Sequence, residues 1–175
     1  GLMGAIGDNG NGFGITKAGS GVLTLGGANT YSGTTTLNNG TLRLANQLAL
    51  QNSTLALSGT GSVSLDAAVS GNAFTFAGLS ASSAAATLAL QNSSATAIAL
   101  TVGGNNVSTT YAGTLTGAGS LEKVGTGSLI LSGSNSFAGT TTVTGGTLQV
   151  GGGSTAGSLA GNVVNNAALV FSRSD

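Results

Sequence analysis

The sequence predicts an all-β chain of short strands stacked into a solenoid, and three observations support this prediction. Charged residues make up only 5% of the chain, whereas glycine accounts for 32 of its 175 residues. Val, Leu, Ile and Thr recur beside Gly, Asn and Ser, a composition typical of short strands joined by tight turns. The third observation is an internal repeat of strands too short to stand alone, which must stack on neighbours to bury their apolar face.

The repeat is a self-match at a constant offset of 106 residues. Residues 15–44 align without gaps on residues 121–150, and 14 of the 30 positions are identical. The differences are conservative, since Tyr31 aligns with Phe137 and Leu37 with Val143. Identical pairs include Lys17/Lys123, Gly19/Gly125, Gly21/Gly127, Leu23/Leu129, Leu25/Leu131, Asn29/Asn135 and Gly33/Gly139.

Each copy predicts the order strand, turn, strand, turn, strand, carried in the first copy by GVLTLGG, ANTYSG and TTTLNNGTLRL. Alternation places the leucines of each strand on one face, which we expect to point inward. The pattern continues between and after the copies in STLALSG, GSVSLDAA, NAFTFAG, ATLALQN, TAIALTVGG, YAGTLTG and NVVNNAALVFSRSD.

The repeat spacing also predicts the size of the solenoid. With roughly 20 residues in each coil, the offset corresponds to about five coils and the whole chain to about eight. At about 4.8 Å between neighbouring strands the column would be roughly 40 Å long. We expect residues 1–175 to form a single β-solenoid segment of a longer polypeptide, because no signal peptide precedes the first strand.

The aligned residues resemble the passenger-associated transport repeat, also called the autotransporter-associated β-strand repeat, of type V secreted bacterial proteins. The pattern Lys-x-Gly-x-Gly-x-Leu-x-Leu-x-Gly-x-Asn-x-Tyr-x-Gly is met from Lys17 and again from Lys123, with Phe137 in place of Tyr in the second copy. The resemblance implies a right-handed parallel β-helix located extracellularly or at the bacterial cell surface. It also implies an outer-membrane barrel as a partner, which we expect outside this segment.

The repeated lysines and asparagines are the first candidates for a site. Lys17 and Lys123 each precede a Gly-x-Gly turn, and such turns can present backbone N–H groups to an anion. Since neither strand leads into a helix, we expect both lysines to be solvated turn residues. Asn29 and Asn135 are expected to bond a turn backbone while the aromatic residue two positions later covers the edge of the core.

The composition argues against catalytic and metal sites. His and Cys are absent, so a serine nucleophile lacks its usual base and zinc lacks its usual ligands. A glycosidase needs two carboxylates at one cleft, and no partner cluster surrounds any candidate. The carboxylates are Asp8, Asp66, Glu122 and Asp175. We predict no catalytic, cofactor or metal residues.

Three functional hypotheses follow. The first is a structural or adhesive extracellular rod, the second a self-assembling filament subunit, and the third a non-catalytic scaffold of a larger secreted enzyme. The expected partners are neighbouring coils or further copies of the protein, and a surface ligand that the sequence does not identify. No nucleic acid is expected, because the 4 basic and 4 acidic residues form no basic stripe.

Overall fold

The computed structural model describes residues 1–175 as a column of stacked coils built almost entirely from parallel strands. Seventeen strands and one short 3-10 helix, Ser70–Asn72, make up its regular structure. The column has about eight turns, which confirms the predicted β-solenoid. The structure contains no helix with the length and apolar character of a membrane span.

Each turn of the column visits three faces in order, and face 1 is continuous from the first turn to the last. Its strands pair in parallel through every turn, so their hydrogen bonds form one uninterrupted ladder. The strands of face 1 are β1 (Ile15–Lys17), β3 (Thr35–Leu37), the second half of β5 (Leu50–Leu57), the second half of β7 (Ala73–Ala81), β10 (Thr109–Tyr111), β13 (Ser128–Leu131), β15 (Thr147–Ser154) and β17 (Ala168–Arg173).

Faces 2 and 3 are assembled from shorter ladders. Face 2 holds β2 (Val22–Leu25), β4 (Thr41–Leu44) and β6 (Ser62–Leu65), then β8 (Thr87–Ala89) and β11 (Thr114–Thr116), and ends in the parallel bridge between Ser134 and Ser158. Face 3 holds the first halves of β5 and β7, then β9 (Ala99–Val102), β12 (Ser120–Lys123), β14 (Thr141–Val143) and β16 (Val163–Asn165).

The core is a thin stack of inward side chains along the axis. Alternation within each strand turns every second residue inward, and the parallel register places equivalent residues directly above one another. A single cluster of 29 buried apolar residues results, and it runs through the length of the column. The stack on face 1 is Lys17, Leu37, Leu57, Ala81, Tyr111, Leu131 and Val150.

Each repeat copy folds onto itself rather than forming one coil. In the first copy β1 stacks on β3 and β2 stacks on β4. In the second copy β12 stacks on β14 and β13 on β15. The predicted strand order within a copy was therefore incomplete, since TTTLNNGTLRL divides into two strands at Asn38–Gly40, and ANTYSG is an irregular corner.

The two copies are rotated around the column by one face. The first copy places its strands on faces 1 and 2, whereas the second places them on faces 3 and 1. Their spacing is thus one face short of five full turns, although about five full coils were expected. The intervening coils contain extra residues, such as the hairpin closed by the antiparallel bridge between Gln91 and Ala97. These insertions account for the residues that one more face would otherwise have used.

Candidate functional site

The repeated lysine is buried and caps the backbone of two stacked turns. Lys17 lies on the inward side of β1, directly below Leu37 in the register of face 1. Its Nζ donates hydrogen bonds to the carbonyl oxygens of Ala18 at 2.8 Å, Gly19 at 2.6 Å and Asn39 at 3.0 Å. The three N–H bonds of the ammonium are matched by three acceptors, two in its own turn and one in the turn above.

The second copy repeats this arrangement on another face. Lys123 is 1% exposed, and its Nζ donates to the carbonyls of Val124 at 2.6 Å, Gly125 at 3.2 Å and Gly145 at 3.2 Å. Burial lowers the pKa of the Lys123 ammonium because desolvation disfavours the charged form. The expectation that both lysines are solvated was wrong: inward alternation puts them beneath the turns, where only carbonyl oxygens meet them.

The repeated asparagine ties three successive coils together. Asn29 Oδ1 accepts the backbone N–H of Ile6 at 2.9 Å, and its Nδ2 donates to the carbonyl of Ala49 at 2.9 Å. Asn135 makes the equivalent bonds to Leu115 N–H at 2.9 Å and to the carbonyl of Ser158 at 3.2 Å. Both amides are buried. The prediction that each asparagine bonds the turn backbone is confirmed.

The aromatic residue of each repeat covers the core, but only the tyrosine joins a polar network. Tyr31 Oη lies 2.6 Å from Thr35 Oγ1, which lies 2.8 Å from Ser53 Oγ, and Ser53 donates to the carbonyl of Gly33 at 2.6 Å. In the second copy Phe137 replaces the tyrosine, and the equivalent threonine, Thr141, has a buried hydroxyl with no hydrogen-bond partner.

The orphaned hydroxyl predicts opposite effects for the same substitution at equivalent positions. Thr141→Val should raise the free energy of unfolding by about 1 kcal/mol, because it removes an unpaired buried polar group without changing the shape of the side chain. Thr35→Val should lower it by about 1–3 kcal/mol, because Tyr31 and Ser53 lose their shared partner. Urea unfolding followed by circular dichroism measures both. Equal effects at the two positions would contradict the role of the network.

The carboxylate of Asp8 organises a turn at the corner of the first coil. Its oxygens accept the backbone N–H groups of Gly10 at 3.0 Å, Phe13 at 3.1 Å and Ser32 at 3.0 Å, and the Ser32 hydroxyl at 2.9 Å. These donors, the Ser32 amide first, favour the charged form and lower the pKa of Asp8 to about 2 against the opposing effect of burial.

The lowered pKa gives Asp8 a defined pH dependence. A carboxyl group whose pKa is lower in the folded state stabilises the fold above its unfolded pKa of about 4, and that contribution is lost as the pH falls towards 2. We expect Asp8→Asn to be less stable than the natural chain at neutral pH, with the difference shrinking between about pH 4 and pH 2. Melting curves of both chains across this range test it, and a constant difference would count against it.

The remaining three carboxylates each have their own hydrogen-bond partners and do not share a site. Asp66 accepts the Ala68 amide at 3.0 Å and pairs with Arg43 at 2.5 Å, and these donors, the amide first, lower its pKa. Glu122 accepts the hydroxyls of Thr101 at 3.3 Å and Thr144 at 2.9 Å, and Asp175 pairs with Arg173. No group of three or more acidic residues lies together.

The outer surface of the column is neutral and rich in hydroxyl and amide groups. Among its shallow grooves, two lie directly over strand ladders. One, of about 380 Å³, runs over face 1 between Ala56, Ser80 and Thr110, and the other, of about 430 Å³, runs over face 3 beside Glu122 and Thr142. The outward residues of face 1 are Thr16, Thr36, Ala56, Ser80, Thr110, Ile130 and Gln149.

The chain matches a known repeat family and a short part of a much longer autotransporter adhesin. The passenger-associated-transport-repeat family matches at residues 15–44 and 121–150. The chain is also 37% identical over 153 residues to the adhesin BmaC autotransporter of Brucella suis biovar 1 (strain 1330). That match covers 85% of this chain but only 4% of the relative. No solved structure matches the chain significantly.

The matched residues coincide with the self-stacking units of the column, including both buried lysines and both bridging asparagines. The geometry therefore accounts for the residues that the two copies share, and the recognition made from the sequence is confirmed. Two segments of the chain are therefore passenger-associated transport repeats, and over most of its length the chain is similar to part of an autotransporter adhesin.

Proposed function

We propose that this chain is an adhesive, load-carrying segment of an extracellular passenger rod on a bacterial surface. The continuous face 1 ladder is the single observation that carries the proposal. A column whose backbone bonds run along its axis resists extension and holds its flank at a fixed distance from its base. The similarity to an autotransporter adhesin supports a location outside the cell or at its surface.

The surface supports binding through hydrogen bonds rather than charge. Four basic and four acidic residues cancel, and two of the acidic residues pair with arginine. Long-range steering by charge is therefore weak, and the outward polar side chains of face 1 are threonine, serine and amide groups. The grooves on faces 1 and 3 both present serine and threonine hydroxyl groups, on two different sides of the column.

A non-enzymatic role completes the proposal. Each carboxylate is already engaged in a turn, with a hydroxyl or with an arginine, and the two buried lysines are capped by carbonyls. These side chains serve the fold. We propose further that the rest of the full-length protein supplies the outer-membrane barrel through which such a passenger is exported. Turnover of ester, peptide or glycan substrates by the purified chain would contradict the non-enzymatic role.

An adhesion assay tests the binding role directly. Fluorescent beads coated with the folded chain are incubated with cultured animal cells, and control beads carry an unrelated neutral protein of similar size. We expect saturable binding that is competed by the soluble chain and lost when the coated chain is unfolded. Binding no greater than that of the control beads would contradict an adhesive role for this segment.

A further inference from the structure

Three Asn–Gly pairs occur in the chain, and the structure places them in opposite electrostatic environments. They are Asn9–Gly10, Asn11–Gly12 and Asn39–Gly40. An Asn–Gly pair can cyclise without an enzyme, because the glycine nitrogen has little steric shielding and can attack the side-chain amide carbon. The step requires the glycine N–H to lose its proton, so neighbouring charges control the rate.

At Asn39–Gly40 the reacting groups are already adjacent. The Gly40 nitrogen lies 2.8 Å from Asn39 Oδ1, one bond away from the carbon that it would attack. Thr60 Oγ1 also donates to Asn39 Oδ1, at 3.5 Å, which polarises the same amide. The Asn39 side chain is exposed, so that water can reach a cyclised product.

The buried Lys17 acts on this same peptide group. Its Nζ donates to the Asn39 carbonyl oxygen at 3.0 Å, and that carbonyl and the Gly40 N–H belong to one peptide bond. A positive charge on the carbonyl oxygen stabilises the negative charge that develops when the N–H is deprotonated. The capping lysine thus increases the fraction of Gly40 nitrogen that is deprotonated and able to attack.

The other two Asn–Gly pairs lie beside a negative charge, that of the Asp8 carboxylate, rather than beside a positive one. The Gly10 N–H donates to the Asp8 carboxylate at 3.0 Å, and the Gly12 N–H is near enough to the same group to help lower the pKa of Asp8. A carboxylate next to an N–H disfavours its deprotonation. The Asn11 side chain is also tied to the Asp8 carbonyl at 2.8 Å, away from its own glycine.

We propose that Asn39 is a site of spontaneous, enzyme-free modification in the folded rod. Gly40 N forms a bond to Asn39 Cγ, the Cγ–Nδ2 bond breaks, and the glycine proton passes through solvent to the ammonia that leaves. Water then opens the resulting succinimide. Addition at Cγ gives aspartate, whereas addition at the backbone carbonyl carbon gives isoaspartate, whose longer backbone would disturb the turn capped by Lys17.

The second repeat provides an internal comparison. Its equivalent pair is Gly145–Gly146, where the carbonyl of Gly145 accepts Lys123 Nζ at 3.2 Å but no side-chain amide is present. A Cβ built at Gly145 meets its nearest atom, the Gly125 carbonyl oxygen, at 3.0 Å. Gly145 also has no positive φ, so Gly145→Asn can be accommodated with a small adjustment.

Peptide mapping tests the proposal on the folded chain. After incubation at mildly alkaline pH, trypsin separates Asn9 and Asn11, in residues 1–17, from Asn39, in residues 18–43. Tandem mass spectrometry then measures the conversion of each side-chain amide to a carboxylate. Dividing each folded rate by the rate at the same site in urea removes the intrinsic sequence effect.

We expect this normalised rate to be at least about tenfold higher at Asn39 than at Asn9 or Asn11, the effect of a one-unit change in the acidity of the amide. Gly145→Asn should acquire the same reaction beside Lys123. Protection of Asn39 equal to that of Asn9 and Asn11 would overturn the proposal. So would a Gly145→Asn chain that melts normally but shows no modification at residue 145.

Discussion

Replacing Lys123 by methionine is expected to lower the free energy of unfolding by about 3 kcal/mol or more. The substitution keeps an apolar stem of similar length but leaves three inward carbonyl oxygens, those of Val124, Gly125 and Gly145, without the ammonium that satisfies them. Each buried acceptor left unpaired costs about 1–3 kcal/mol. Urea unfolding followed by far-ultraviolet circular dichroism gives the value.

Arg43→Met is the matched control for Lys123. Arg43 also bears a positive charge and pairs with Asp66, but its side chain is 48% exposed. Asp66 is buried, but it keeps the hydrogen bond from the Ala68 amide when Arg43 is removed. We therefore expect Arg43→Met to lose no more than about 1 kcal/mol, as for an ion pair with one solvated partner. If Lys123→Met were no more destabilising than Arg43→Met, the buried lysine would not be the cap that its geometry indicates.

A single methyl group at Gly139 is expected to cost about 3 kcal/mol, because overpacking at a backbone contact forces neighbouring coils apart. The added Cβ would lie 2.2 Å from the carbonyl oxygen of Gly119 and 2.5 Å from its carbonyl carbon. Parallel hydrogen bonds hold the coils at a spacing of about 4.8 Å, so the column cannot easily expand there. Gly139 has no positive φ, and the expected loss is therefore purely steric.

Gly104→Ala separates this steric effect from a general loss of glycine. A Cβ at Gly104 would meet nothing within 4 Å, and its φ is also not positive. We expect its unfolding free energy to change by no more than about 0.5 kcal/mol. Comparable destabilisation by Gly104→Ala and Gly139→Ala would show that close coil contact is not what selects glycine at Gly139.

The repeated strands could be predicted from the sequence because alternation and the glycine turns are both local. Leu23 and Leu25 of β2 stack on Leu42 and Leu44 of β4, as the alternation within these strands predicts. The burial of the lysines was also recoverable. Lys123 lies two residues after the inward Leu121, so alternation assigns both to the same side of the strand. The lysines were instead predicted to be solvated, because a charged residue beside a turn usually faces water.

The rotation of the second copy could not be predicted, because it depends on how many residues form the corners of the intervening coils. The loop from Gln91 to Ala97 forms a short hairpin, and Asn92 ties it to Asn72 of the coil below. Nothing in these Ser- and Ala-rich residues repeats with a fixed period. The hydroxyl network around Thr35 depends likewise on Ser53, which lies outside the repeat and pairs only through stacking.

Engineered disulfides test the parallel register of the column most directly, since the natural chain has no cysteine to interfere. Thr110 and Ile130 are outward register partners on β10 and β13, where the second repeat joins the continuous ladder of face 1. The paired substitutions Thr110→Cys and Ile130→Cys should form a disulfide on mild oxidation, because neighbouring strand positions meet the distance that the bond requires. Thr110→Cys with Leu129→Cys, one residue out of register and pointing inward, should not. Bonding of the shifted pair in place of the registered pair would contradict the stacked, rotated solenoid.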